Sequence, residues 1–74
     1  MPYVHIRVTD EGVTASQKVQ LIKGATELLQ VVLDKNPATT FVVIEEVPLD
    51  NWGAGGLPVE QFRRQQVLAT AESN

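Results

Sequence analysis

The chain opens Met1-Pro2, and the proline carries its most distinctive chemistry. Initiator methionine is routinely trimmed before a small residue such as proline. The new terminus would be a secondary amine, both basic and nucleophilic. An unperturbed α-amino group titrates at about 8, and an apolar pocket disfavours the charged form and lowers that value. A base poised near neutrality suits proton transfer at a carbon next to a carbonyl. If Met1 stayed in place, the same nitrogen would be an amide without basicity.

Other reactive constellations are missing. Gly53-Ala54-Gly55-Gly56 is neither a G-x-G-x-x-G turn nor a Walker loop, because no Gly-Lys-Ser/Thr follows. The single histidine, His5, lies inside the first expected strand, so no Ser-His-carboxylate trio is suggested. Glu45 and Glu46 point to opposite faces of a strand and cannot act as a carboxylate pair within one chain. They read as one solvent-facing and one ion-paired carboxylate. With no cysteine and one histidine, a thiolate site, a disulfide or a zinc cluster within one chain is excluded. No cofactor or metal is expected.

The elements that must position Pro2 follow from periodicity. Tyr3 to Val8 alternates, with Val4, Ile6 and Val8 on one face and Tyr3, His5 and Arg7 on the other, which predicts a strand. Thr9-Asp10-Glu11-Gly12 is turn chemistry. Thr14-Ala15-Ser16-Gln17 fits a capping box. From there Val19, Ile22, Ala25, Leu29 and Val32 recur at helical spacing, with Lys18, Gln20, Lys23, Glu27 and Gln30 on the wetter side. Asp34-Lys35-Asn36-Pro37 ends this helix, because the residue before proline avoids the helical region. Thr39 to Val47 favours a second strand. Two strands joined by a helix of about 19 residues must be parallel with a right-handed crossover. The Gly53–Gly56 stretch turns the chain, Val59 to Ala69 is expected to add a last helical turn or two anchored by Phe62, and Thr70 to Asn74 is expected to fray. The fold class is α/β: a β-α-β protomer with two parallel strands, one long helix and a short C-terminal hairpin or tail, forming a single domain over residues 1–74.

Size and composition set the company this protomer keeps. The 74 residues are 43% hydrophobic and 20% charged, with a formal charge of −3, which excludes a disordered acidic segment and argues against nucleic acid or an anionic membrane as partner. No apolar run approaches a membrane span or a signal sequence, so a soluble cytoplasmic protein is expected. A domain this short buries only about 60% of the surface its unfolded chain exposes. One helix covers one sheet face, leaving Tyr3, His5, Arg7, Phe41, Val43 and Glu45 open. Other copies of the chain should cover that face.

The start Met1-Pro2-Tyr3-Val4-His5-Ile6, the strand–helix–strand order, the strand Phe41-Val42-Val43-Ile44-Glu45-Glu46 and the segment Asn51-Trp52-Gly53-Ala54-Gly55-Gly56 together resemble the 4-oxalocrotonate tautomerase family, in its short-chain form. The likeness extends from residue 2 to about 64, and the aromatic-Gly-x-Gly-Gly element is its most specific part. Arg63-Arg64 falls where short members commonly end with basic residues. The resemblance implies a tautomerase, an isomerase whose mature Pro2 moves a proton between the keto and enol forms of a 2-oxo acid. It implies a homohexamer built as a trimer of dimers, with Trp52 as the aromatic wall that keeps the proline's pKa low. The family's two substrate-binding arginines fall at Gly12 and Phe41, so both are replaced here. Arg7, or Arg63 or Arg64 from a neighbouring chain, are the candidate substitutes, although Arg7 equally reads as the partner of Glu45, and His5 as an interface residue. With Phe41 and Trp52 lining it, the pocket should favour an aryl or alkyl monocarboxylate such as phenylpyruvate over a dicarboxylate such as 2-hydroxymuconate. Two alternatives accompany this reading. One is a non-catalytic oligomeric binding or scaffold protein of the same fold. The other is a promiscuous hydratase, dehalogenase or decarboxylase, for which Asp50 lies near the loop without matching the water-activating carboxylate.

Overall fold

Strand β1 spans Tyr3–Thr9 and strand β2 spans Phe41–Val47, paired in parallel from Tyr3↔Phe41 to Thr9↔Val47 in a computed structural model that describes residues 1–72. Helix α1, Ala15–Leu33, forms the crossover between them. The β-α-β unit therefore has the expected order, strand orientation and helix length.

Local chemistry sets the ends of α1. The Thr14 hydroxyl accepts from the Gln17 amide N–H at 3.1 Å, and the Gln17 side chain accepts from the Thr14 N–H at 2.9 Å, a reciprocal cap of the kind worth about 1 kcal/mol. The C-terminus differs from expectation in its cause. Asp34 adopts a left-handed conformation (φ 54°) and donates its N–H to the Gln30 carbonyl at 3.0 Å. The chain thus leaves the helix three residues before Pro37, by the left-handed cap that Asp and Asn tolerate. Pro37–Thr39 then forms a 3₁₀ turn capped by the Asn36 side chain, so β2 starts at Phe41 and not at Thr39.

The face of α1 that meets the sheet is also narrower than the apolar periodicity suggests. Ala25 and Leu29 are half-buried, whereas Val19 and Val32, expected on the same face, are exposed. Lys18, expected on the wet side, is half-buried and pairs with Glu46 of β2 at 2.9 Å. The ammonium thus reaches across from α1 to the carboxylate on β2. Both glutamates of β2 are consequently ion-paired, since Glu45 meets His5 and Arg7 on the other face.

A second unit follows β2. Leu49–Asn51 forms a 3₁₀ turn, and the short strands β3 (Gly53–Ala54) and β4 (Leu57–Pro58) form an antiparallel hairpin. Its two-residue loop, Gly55-Gly56, has φ of 61° and 83°, matching the type I′ turn that suits the twist of paired strands. Helix α2 runs from Val59 to Glu72, far longer than the one or two turns expected. Of the stretch expected to fray, residues 70–72 continue this helix, and Ser73 and Asn74 lie outside the described residues.

The protomer lacks a core of its own. Val59 is the single buried hydrophobic residue among the described ones, and Tyr3, Phe41, Val43, Leu28, Val31 and Val32 are among thirteen large apolar side chains left exposed. The radius of gyration is 17.1 Å, against roughly 11 Å for a compact chain of this length. Among the described residues no helix is long and apolar enough to cross a membrane.

Candidate active site

Pro2 stands at the head of β1, half-buried, and its carbonyl accepts the Phe41 N–H at 3.0 Å. The parallel register fixes this neighbour: Tyr3 pairs with Phe41, so the first residue of β2 flanks the residue before β1. Phe41 is half-exposed on the face left open by α1. On that face the Tyr3 and His5 rings lie 6.0 Å apart, tilted by 48°. Met1, which precedes the proline, is 91% exposed and accessible to removal.

The other sequence-selected residues lie elsewhere. Arg7 donates through Nε to Glu45 Oε2 at 2.9 Å, and His5 Nε2 reaches the same oxygen at 2.8 Å. The Arg7 guanidinium above all, and His5 after it, hold the Glu45 carboxyl below the ordinary carboxylate range. Trp52 follows the far end of β2, and its carbonyl accepts the Val59 N–H at 2.8 Å, tying it to the start of α2. β2 begins beside Pro2 and runs away from it for seven residues, about 20 Å at strand rise. Pro2 and Trp52 of one protomer therefore belong to opposite ends of the strand pair. Asp50 is exposed in the 3₁₀ turn between the end of β2 and Trp52.

Arg63 meets Glu11 with both ends of its fork, Nη1 to Oε1 and Nη2 to Oε2, the second at 3.2 Å. Sequence reasoning missed this bridge, because 52 residues separate the partners and no local pattern joins them. It fastens α2 to the turn after β1 and, with the Thr9 hydroxyl, lowers the Glu11 pKa from the ordinary 4.5 to about 2. A carboxylate depressed in the folded state contributes stability that is present above its unfolded pKa and lost as pH falls through the folded one. Thermal melting is therefore expected to show an acid limb between about pH 4.5 and 2, and Glu11→Gln should flatten it. A Glu11→Gln chain with an unchanged acid limb would remove the bridge from the stability of α2.

The hairpin that carries Trp52 depends on Gly55. A Cβ at this left-handed residue would come within 3.2 Å of the Phe62 ring. Gly55→Ala is expected to destabilise the hairpin–α2 unit by about 1–2 kcal/mol, read as faster hydrogen exchange at the Trp52–Val59 pair. Exchange at the native rate would show that the unit accommodates the side chain.

The arrangement brings one potential base, Pro2, to a sheet edge with an aromatic neighbour, while the Trp52 hairpin and α2, with Arg63 and Arg64 in its second turn, follow the other end of β2. Among the described residues no cluster of three or more histidines or carboxylates is placed to hold a metal. A concavity of about 540 Å³ is lined by Val13, Gln17, Gln20 and Leu21. It lies along the start of α1, away from Pro2 of the same protomer.

A family model described as tautomerase enzyme matches residues 2–61. The chain is 62% identical over 65 residues to a probable tautomerase of Dickeya dadantii, covering 88% of this chain and 97% of that one. It is 33% identical over 64 residues to a 2-hydroxymuconate tautomerase of Pseudomonas putida, covering 86% and 100%. Among solved structures, DmpI from Helicobacter pylori matches with a TM-score of 0.79 at 42% identity, over 85% of this chain and 97% of that one.

Proposed function

This chain belongs to the tautomerase family, and on that premise we propose that it interconverts the keto and enol forms of a 2-oxo acid with Pro2, freed of Met1, as the proton carrier. The observation that carries the proposal is the seat of Pro2: half-buried, pinned through its carbonyl to Phe41, and preceded by an exposed methionine. As a free amine it takes a proton from the carbon next to the carbonyl, the electron pair moves onto the carbonyl oxygen, and the proline returns the proton to carbon or oxygen. An apolar surround keeps the amine neutral between turnovers. Phe41 and, from a neighbouring copy, Trp52 supply that surround.

The pocket is shared between chains because Pro2 and Trp52 stand at opposite ends of one protomer. A homohexamer, as a trimer of dimers, would close it and cover the exposed apolar surface. Phenylpyruvate represents the substrate class, an apolar monocarboxylate. Hydration, dehalogenation and decarboxylation rank below this, since the hydrolytic ones need a carboxylate to activate water and Asp50 stands exposed in its turn. A non-catalytic scaffold remains the second reading, favoured by the engagement of Arg7 with Glu45 and of Arg63 with Glu11. The deciding assay is enolisation of phenylpyruvate by protein whose mass shows Met1 removed, beside its Pro2→Ala variant. Equal rates would overturn the proposal.

A further inference from the structure

We infer that Arg64 is the site that receives the substrate's carboxylate, with Val67 and Leu68 beside it as the wall for an apolar tail. The inference rests on the reading of Pro2 given above.

Most of the cations are already engaged. Arg7 is held by Glu45, Arg63 by both oxygens of Glu11, and Lys18 by Glu46; Lys23 lies 4.0 Å from Glu27. Among the described residues, Arg64 and Lys35 are the cations without a hydrogen bond or ion pair. Of the two, Arg64 has the planar fork that meets a carboxylate with two parallel bonds. Lys35 is a point charge whose neighbour Asp34 carries the opposite sign.

The position of Arg64 is built as well as vacant. Phe62, two residues before it, packs against Gly55 of the hairpin loop, and Arg63, one residue before it, is fastened to Glu11. The start of the helix is tied to the Trp52 carbonyl. Whichever copy brings Trp52 to a neighbour's Pro2 therefore brings Arg64 with it, on the same rigid unit.

The surroundings of Arg64 define the ligand. Val67 and Leu68 lie at i+3 and i+4 from it, on the same flank of α2, and are 69% and 61% exposed. With Arg63 and Arg64 they line an open, almost wholly apolar concavity of about 350 Å³ along one flank of α2, to which the arginines contribute mainly their hydrocarbon stems. A single carboxylate next to an apolar group fits this surface. A second carboxylate would be driven against Val67 and Leu68, where losing its water is unfavourable. The structure thus assigns a preference for monocarboxylates to the C-terminal helix, in place of the arginine pair absent at Gly12 and Phe41.

The test uses Met1-free, assembled protein with phenylpyruvate and its methyl ester, which keeps the ketone and lacks the charge. Arg64→Ala should raise KM for the acid by about 10- to 100-fold, as loss of a charged hydrogen bond does, with a smaller change in kcat and no change for the ester. Arg64→Lys should fall between, and Lys35→Ala should behave as wild type. Calorimetry with unreactive phenylacetate reads the site without turnover, and Arg64→Ala should weaken that binding by a similar factor. Equal effects on acid and ester, no effect on either, an acid-selective loss in Lys35→Ala, or wild-type protein that does not bind phenylacetate would each overturn the assignment. Failure of the Pro2 reading looks different: Pro2→Ala would turn over both substrates at the wild-type rate.

Discussion

Replacing Pro2 by alanine is expected to lower phenylpyruvate enolisation by about 10²- to 10⁴-fold, the usual contribution of a positioned general base. The mature variant still ends in an amine, so the loss would come from position and basicity rather than from deleting a nitrogen. The pyrrolidine ring blocks rotation about the N–Cα bond and so fixes the direction of the amine, and the carbonyl bond from the Phe41 N–H at 3.0 Å holds the residue against the head of β2. A primary amine on a freely rotating alanine loses that aim. The pH dependence carries the second half of the expectation. The wild-type rate should rise with pH as the amine loses its proton and level off once it is free, at a midpoint below the ordinary value of about 8. In Pro2→Ala this limb should fall in amplitude and move toward the ordinary value. Identical profiles for the two proteins would assign the base to another group.

The second large effect concerns assembly. Val43 lies between Phe41 and Glu45 on the open sheet face and is 44% exposed in the single protomer. Val43→Asp is expected to convert the assembled protein to dissociated, largely unfolded chains in sedimentation velocity, because an uncompensated charge buried against a neighbour costs about 3–5 kcal/mol. The new carboxylate would also share its face with Glu45, two residues away along the strand. Val43→Ile, which keeps the surface apolar, should sediment as wild type. An assembled Val43→Asp protein with unchanged melting would show that this face is not where copies meet.

Much of the fold was legible because the signals were local. Strict alternation from Tyr3 to Val8 and the Thr-, Val-, Ile- and Phe-rich run from Thr39 to Val47 gave the strands, the second begun two residues early, and Thr14 with Gln17 gave the start of α1. The parallel register then placed Phe41 beside Pro2. Periodicity failed at Val19 and Val32, which repeat like core positions yet stay exposed in the single protomer. It failed again at Lys18, whose charge suggested solvent although its ammonium meets Glu46 of β2. The length of α2 was hidden because Glu60 to Gln66 is mostly polar and its anchors, Val59, Phe62 and the Glu11–Arg63 bridge, are contacts with distant residues. The same distance concealed that Arg63 is already engaged, which no spacing within the C-terminal segment reveals.

The trio on the open face has one more consequence. Glu45 carries one negative charge and Arg7 one positive charge, and His5 Nε2 lies against the same carboxylate. Arg7 and His5 converge on one oxygen of Glu45, so the Arg7–Glu45 pair arrives at any contact with its charges already cancelled. A neighbouring copy that covers Tyr3, Phe41 and Val43 can enclose this cluster without supplying a counter-ion of its own. The ionisable residues that interrupt the apolar face therefore do not forbid its burial; they make the burial conditional on the three staying together.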